Sequence, residues 1–295
     1  MMKKTFLFLQ IVFLYLGSIC PAWAQSPENN SLLWKISGNG LEHDSYIFGT
    51  IHIICQDQFK MDDRILNALR SSEKIALELD LSDQSELMAM QKLSMNEDFA
   101  NIENEFDPET REAVDAFLTE HYGVGLQQFG IFKPFALSSL ILVKLLPCED
   151  VGSYELFFVE KSKEEGIPMI GLETGEFQIS LFDQIPLQQQ LDDLGKMVTD
   201  KESMDEFLAL VSAYLEEDID RLYELITEAD MFKEYGDILL ASRNKNWIPT
   251  IEALIRDQPS FIAVGSGHLA SEMGVIQLLK DAGYHLEPMY AEPIY

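Results

Sequence analysis

In Phe261-Ile262-Ala263-Val264-Gly265-Ser266-Gly267-His268, an unbroken apolar run meets two glycines and a histidine. Such a run reads as a buried strand that ends in a tight turn, with a polar side chain emerging at its carboxyl edge. The same construction stands near the other end of the chain, in Tyr46-Ile47-Phe48-Gly49-Thr50-Ile51-His52. In both, a histidine follows three residues after a glycine that closes an apolar strand. A further strand-like run, Ile75-Ala76-Leu77-Glu78-Leu79-Asp80, ends in two carboxylates, and a strand period of two predicts Glu78 and Asp80 on one face.

Outward from these stretches, strand-like runs gather at the two ends of the chain. Leu32 to Ile36, Ser45 to Phe48 and Lys74 to Leu79 come early; Pro168 to Leu172, Ser260 to Val264 and Tyr284 to Met289 come late. Between them apolar residues recur every three or four positions, as in Phe207, Leu210, Val211 and Tyr214, which predicts helices. The expected architecture is α/β, a central mixed or mostly parallel sheet built from the N- and C-terminal halves, with a helical cap inserted over about residues 84–235. No Gly/Ser/Pro-rich linker divides residues 25–295, so one domain is expected there.

The chain has 295 residues, 21 basic and 50 acidic, for a formal charge of −29. So little basic surface argues against nucleic acid as a partner. An apolar fraction of 47% argues equally against a disordered acidic polypeptide. Lys3 and Lys4, the apolar Thr5 to Ile19 and the small-x-small Ala22-Trp23-Ala24 form the layout of a secretory signal peptide over residues 1–24, with cleavage expected after Ala24. Ile19 stands where lipidation of Cys20 would need a small residue, and no later stretch is long and apolar enough for a membrane span. A secreted or periplasmic location follows as an expectation. Cleavage leaves Cys55 and Cys148, whose separation in sequence does not say whether they meet in space.

Ligands of open α/β sheets lie beyond the carboxyl ends of the strands. There His52, Glu78 and His268 would converge, and two imidazoles with a carboxylate suit a divalent metal that acidifies water. Taken singly, a histidine at a strand end is more often a hydrogen-bonded structural residue than a ligand. It is the duplication in matching contexts that favours a site. Glu173, in Gly171-Leu172-Glu173-Thr174, follows another strand-like run, but an acid at a helix N-terminus has a structural explanation too. Arg243, beside Asn244, stands out in an acidic chain, either to clamp a substrate or oxyanion or to tie down Glu78 or Glu173. His43, His121 and His285 read as structural or solvent-facing, and Cys55 as core or disulfide.

At these residues the sequence resembles the TraB/GumN family, which includes the Tiki-type metalloproteases. Gly49-Thr50-Ile51-His52, Ala76-Leu77-Glu78-Leu79-Asp80, Lys133-Pro134-Phe135-Ala136-Leu137, Gly171-Leu172-Glu173-Thr174 with Gln178, Arg243-Asn244-Lys245-Asn246-Trp247 and Val264-Gly265-Ser266-Gly267-His268-Leu269 stand in the family's order. The resemblance implies a fold related to the haem-binding ChaN and erythromycin-esterase proteins. It also implies His52, His268 and Glu78 as ligands of Mn²⁺ or Co²⁺, with Zn²⁺ as an alternative. Glu78 would double as general base, Glu173 would be a second acid, and Arg243 and Asn244 would support the transition state. The implied activity is metal-dependent hydrolysis of a peptide or small molecule. The alternative is a binding protein that sequesters haem or a small peptide in the same cleft. The oligomeric state stays open. Two departures stand out: Ser271 replaces a glycine usual in the family, and Gly152-Ser153-Tyr154 replaces a Gly-hydrophobic-Asp.

Overall fold

Strands covered on both faces read as continuous apolar runs, and the two best such runs of the sequence form the centre of the sheet in the computed structural model, which describes residues 30–291. The expected signal peptide, its cleavage site and Cys20 lie outside the described residues. The strands are β1 (Leu33–Ser37), β2 (Ser45–Thr50), β3 (Ile54–Cys55), β4 (Lys74–Leu77), β5 (Val151–Gly152), β6 (Met169–Gly171), β7 (Ser260–Gly265) and β8 (His285–Pro288). Six of them make one mixed sheet in the order β6-β4-β7-β2-β1-β8. β6, β4, β7 and β2 run parallel, and β1 is antiparallel to both β2 and β8. β3 and β5 form a separate two-stranded ladder.

The helices before β6 are α1 (Asp63–Arg70), α2 (Gln84–Leu93), α3 (Pro108–Tyr122), α4 (Leu126–Phe129), α5 (Pro134–Leu145) and α6 (Tyr154–Glu165). After it come α7 (Gly175–Phe182), α8 (Leu187–Thr199), α9 (Lys201–Leu215), α10 (Ile219–Glu228), α11 (Asp230–Gly236), α12 (Ser242–Asp257) and α13 (Val275–Asp281). Their ends follow local chemistry. Asp107 caps α3 through its side chain ahead of Pro108, and Gly123 closes it in the left-handed conformation. The cap has a core of its own, with Val114 and Leu118 of α3, Leu137 and Ile141 of α5, and Leu191 and Leu194 of α8 all buried together. The sheet core is larger and includes Trp34, Phe48, Phe158, Trp247 and Phe261.

The α/β architecture agrees with the sequence, with three differences. The middle of the chain is not wholly cap, because β6 enters the sheet as an edge strand beside β4. β4 stops at Leu77, so Glu78 and Asp80 leave the ladder and do not act as a pair: Glu78 is buried, while Asp80 accepts hydrogen bonds from the Ser82 backbone and hydroxyl. The apolar pattern over Leu269 to Asp281 predicts a helix from Leu269, but α13 starts at Val275, after a turn in which Ser271 takes a φ of 81°. That left-handed value is where the family's usual glycine would sit without strain.

Candidate functional site

All four parallel strands deliver a polar group to the same edge of the sheet. From β6 to β2 these are Glu173, Glu78, the Gly265–His268 turn and His52. Two glycines permit the crowding. A Cβ on Gly49 would meet Leu269 at 2.7 Å and the Ser266 backbone at 3.2 Å. A Cβ on Gly265 would meet Glu78 Oε1 at 3.2 Å, His268 Cδ2 at 3.6 Å and His52 Cε1 at 3.9 Å. The two imidazoles and the carboxylate named from the sequence therefore meet around Gly265.

Arg243 fills the centre of the cluster. It lies at the start of α12, directly after a π-helical turn over Asp237–Ala241, a local irregularity that often marks functional sites. Its Nε donates to both oxygens of Glu173 at 3.1 and 3.2 Å. Nη1 donates to the Leu239 carbonyl at 3.0 Å and to His268 Nε2 at 3.1 Å. Nη2 donates to Glu173 at 2.6 Å and to Glu78. The five N–H groups of a guanidinium thus all have acceptors. Of the two readings the sequence left open, the structure shows the tie between acids; no N–H remains for a substrate oxyanion.

The neighbours complete a buried network. Gln178 of α7 donates to Glu78 at 3.1 Å and to Glu173 at 3.2 Å, and Trp247 Nε1 donates to Glu173 at 3.0 Å. The Gly265 N–H donates to Glu78 at 2.7 Å. Asn244 Oδ1 lies 2.6 Å from His268 Nδ1, while its amide donates to the Met273 carbonyl at 2.8 Å. An acceptor at Nδ1 and a donor at Nε2 assign His268 as the neutral Nδ1–H tautomer. Burial drives its pKa down from 6.5 to about 3, with the charge of Arg243 acting the same way against the pull of Glu78. Glu78 goes the other way. Desolvation would raise its pKa, but Arg243, the two imidazoles and the Gly265 N–H hold it down at about 2. Burial raises the pKa of Glu173 despite Arg243, in part because Glu78 is already charged beside it.

His52 sits apart from this network in both chemistry and exposure. Its side chain is 71% exposed, and its Nδ1 lies 2.9 Å from Glu155 Oε1. Glu155 stands in the first turn of α6, where the helix dipole favours its charge. It also accepts from Thr50 Oγ at 2.8 Å and from Ser153 Oγ at 3.0 Å. Although desolvation lowers it, the hydrogen bond and charge of Glu155 raise the His52 pKa to about 9. Nε2 has no hydrogen-bond partner among the described residues, and the ring edge at Cε1 borders Gly265. Glu155 was not among the residues singled out from the sequence. Its signal was there: Ser153-Tyr154-Glu155 gives the small-hydrophobic-acid pattern one residue after the position where it was sought.

Measured against this geometry, a divalent ion does not fit the three expected ligands as they stand. Both oxygens of Glu78 and both nitrogens of His268 have hydrogen-bond partners, and the guanidinium occupies the point toward which they converge. A dication there would displace or face a positive charge. Among the described residues no group of three or more His, Cys, Asp or Glu side chains is arranged to hold a metal. Glu78, bound by Arg243 and held strongly acidic, is unsuited as it stands to the base role expected of it; Glu173 is bound by Arg243 too, but burial raises its pKa.

Cys55 and Cys148 are joined by a disulfide, which resolves the alternative left open by the sequence. His43 bonds the Ile255 carbonyl at 3.1 Å, His121 packs at a tilt against Phe117, and His285 lies in β8; none joins the site.

A parallel-centred α/β sheet with histidines, acids and an arginine at its carboxyl edge is an open sheet, the class in which ligands lie beyond the carboxyl ends of the strands. The family model described as TraB/PrgY/gumN matches residues 32–288, and the chain belongs to that family. Comparison with curated proteins and with solved structures gives no match. No helix among the described residues is long and apolar enough to cross a membrane.

Proposed function

We propose that the protein is a hydrolase that cleaves amide bonds of peptides outside the cytoplasm, with His52 as general base and Glu155 behind it. The observation that carries this reading is the mostly exposed imidazole whose Nδ1 is fixed on a carboxylate at 2.9 Å while Nε2 has no hydrogen-bond partner among the described residues. That is the arrangement by which a carboxylate selects the tautomer and steadies the imidazolium formed during proton transfer. His52 Nε2 takes a proton from water as the water oxygen attacks the carbonyl carbon. The imidazolium then returns the proton to the leaving amine as the C–N bond breaks. Glu78, Glu173, Arg243 and His268 form the rigid, desolvated floor against which the substrate lies. The peptide class rests on the family resemblance. Export is supported by the Cys55–Cys148 bridge, since disulfides persist in oxidising compartments.

The test is hydrolysis of a broad fluorogenic peptide library by wild type and His52→Ala, each with chelator and with added Mn²⁺, Co²⁺ or Zn²⁺. Cleavage that survives chelation and is lost in His52→Ala supports the reading. Strict dependence on one of these metals would require Arg243 to release Glu78 and His268, and would restore the metal-centred arrangement expected from the sequence. A second reading, capture of haem or a peptide without turnover, draws on the same free Nε2, which is able to ligate haem iron. Haem titration giving a Soret band in wild type but not in His52→Ala, with no hydrolysis, would favour it.

A further inference from the structure

We infer that the Cys55–Cys148 disulfide is the positioning device of the His52–Glu155 pair, so that its reduction by a dithiol disables the reaction while leaving the fold intact. The inference rests on the function proposed above and concerns residues to which that function gives no role. His52 and Glu155 lie on two different segments, and the bridge joins those two segments: Cys55 is three residues after His52, and Cys148 is seven before Glu155.

The other ties between the two segments flank His52 rather than hold it: Thr50 bonds Glu155 on one side, and Phe59 packs on Tyr154 on the other. β3 and β5 pair over only Ile54↔Gly152 and Cys55↔Val151, with one further bond from Gln56 N–H to the Asp150 carbonyl at 2.9 Å. An isolated two-stranded ladder is marginal in water even at greater length. Glu155 does not need the bridge, because Thr50 and Ser153 hold its carboxylate independently of His52. His52 does. It lies past the end of β2, its side chain is mostly exposed, and Glu155 is its one hydrogen-bond partner among the described residues. Beyond the bridge, Phe59 packs on Tyr154 at 4.4 Å and Tyr154 OH donates to the Lys60 carbonyl at 3.1 Å. Those contacts keep the downstream part of the loop docked when the bridge opens. Between Ile51 and Ile54, whose side chains are anchored in the sheet core, the turn that carries His52 is what gains freedom.

The chemistry is a simple exchange. The dithiol breaks the S–S bond, Cys55 and Cys148 each gain a proton and an electron, and the reagent closes to its own disulfide.

The experiment uses the oxidised full chain with dithiothreitol, with thiols counted by alkylation and mass spectrometry. Below the melting transition, kcat on a cleaved peptide should fall at least about tenfold, while KM stays within about twofold. Hydrogen exchange should quicken in peptides covering residues 51–55 and 148–153 and stay unchanged in the main sheet. Glu155→Gln, already impaired, should lose less than about twofold more on reduction, because both changes break one pair. Unchanged kcat in the reduced protein overturns the inference. So does an equal further loss in wild type and Glu155→Gln, or exchange that quickens throughout, since each describes a general staple. The Cys55→Ser/Cys148→Ser variant should reproduce the reduced state; if it does not fold, reduction of the folded wild type decides. A wild type that cleaves no peptide sinks the function, not the tether, which the exchange pattern then decides alone: local quickening supports it and none overturns it.

Discussion

His52 and His268 follow the same Gly-x-x-His pattern after neighbouring parallel strands, yet they have become opposites. His52 is 71% exposed, leans on a carboxylate and is driven toward the charged form. His268 is 5% exposed, has Arg243 on one nitrogen and Asn244 on the other, and is held neutral. The motif fixes where the ring emerges. What faces the ring decides what it can do: Glu155 supplies an anion to one, and a cation with an amide closes off the other. In the function proposed above, one histidine does the chemistry and the other is a strut.

The sharpest way to break this comparison is to remove each ring. His52→Ala should lower kcat by about 10²- to 10⁴-fold and cost far less stability than Arg243→Ala, since the exposed ring contributes little beyond its ion pair with Glu155. Equal loss of stability in that variant would mean His52 is structural as well. Arg243→Ala should do the reverse, costing about 3–5 kcal/mol of stability or preventing folding, because Glu78 and Glu173 would be left buried and uncompensated. A wild-type denaturation midpoint for that variant would refute the buried tie. His268→Ala should cost less, about 1–3 kcal/mol, by leaving one of the two Arg243 Nη1 N–H groups and the Asn244 Oδ1 without partners.

Acidity separates the two rings as well. A base that must lose its proton at about pH 9 predicts kcat/KM rising with pH toward that value, and Glu155→Gln should move the rise to lower pH. A pH profile unmoved by Glu155→Gln would detach Glu155 from His52. For stability, the raised pKa of His52 gives a contribution that is full below 6.5 and lost as pH climbs through about 9. His268 acts oppositely. Between 6.5 and about 3 the unfolded chain takes up a proton that the folded one refuses, so stability falls on acidification across that window. Glu78 adds to acid lability at the lower end, since its stabilisation is present above 4.5 and lost toward about 2. Thermal melts from pH 3 to 10 should show both flanks in wild type and lose only the alkaline one in His52→Ala. The smallest expected effect is a gain: Ser271→Gly should add about 0.5–1 kcal/mol by relieving the 81° φ beside His268.

Which parts were readable follows from the range of the forces. Apolar runs, turn glycines and helix caps act over a few residues, so the α/β architecture and the polar strand ends at His52, Glu78, Glu173 and His268 were legible in the sequence. So was Arg243 as an oddity in an acidic chain, but not its partner set. The β3–β5 ladder was missed because two-residue strands carry no periodicity, and α1 and α2 passed unremarked beside stronger patterns.

The sequence alone determined the sheet and the side chains its strands expose, because continuous apolar runs and glycine turns are local properties. Only the tertiary structure decided that a guanidinium takes the centre of the acids, that Glu155 crosses from another segment to His52, and that Cys55 meets Cys148. Charge pairing and disulfide formation depend on distance in space, and residues far apart in the chain acquire that distance only when the core has packed.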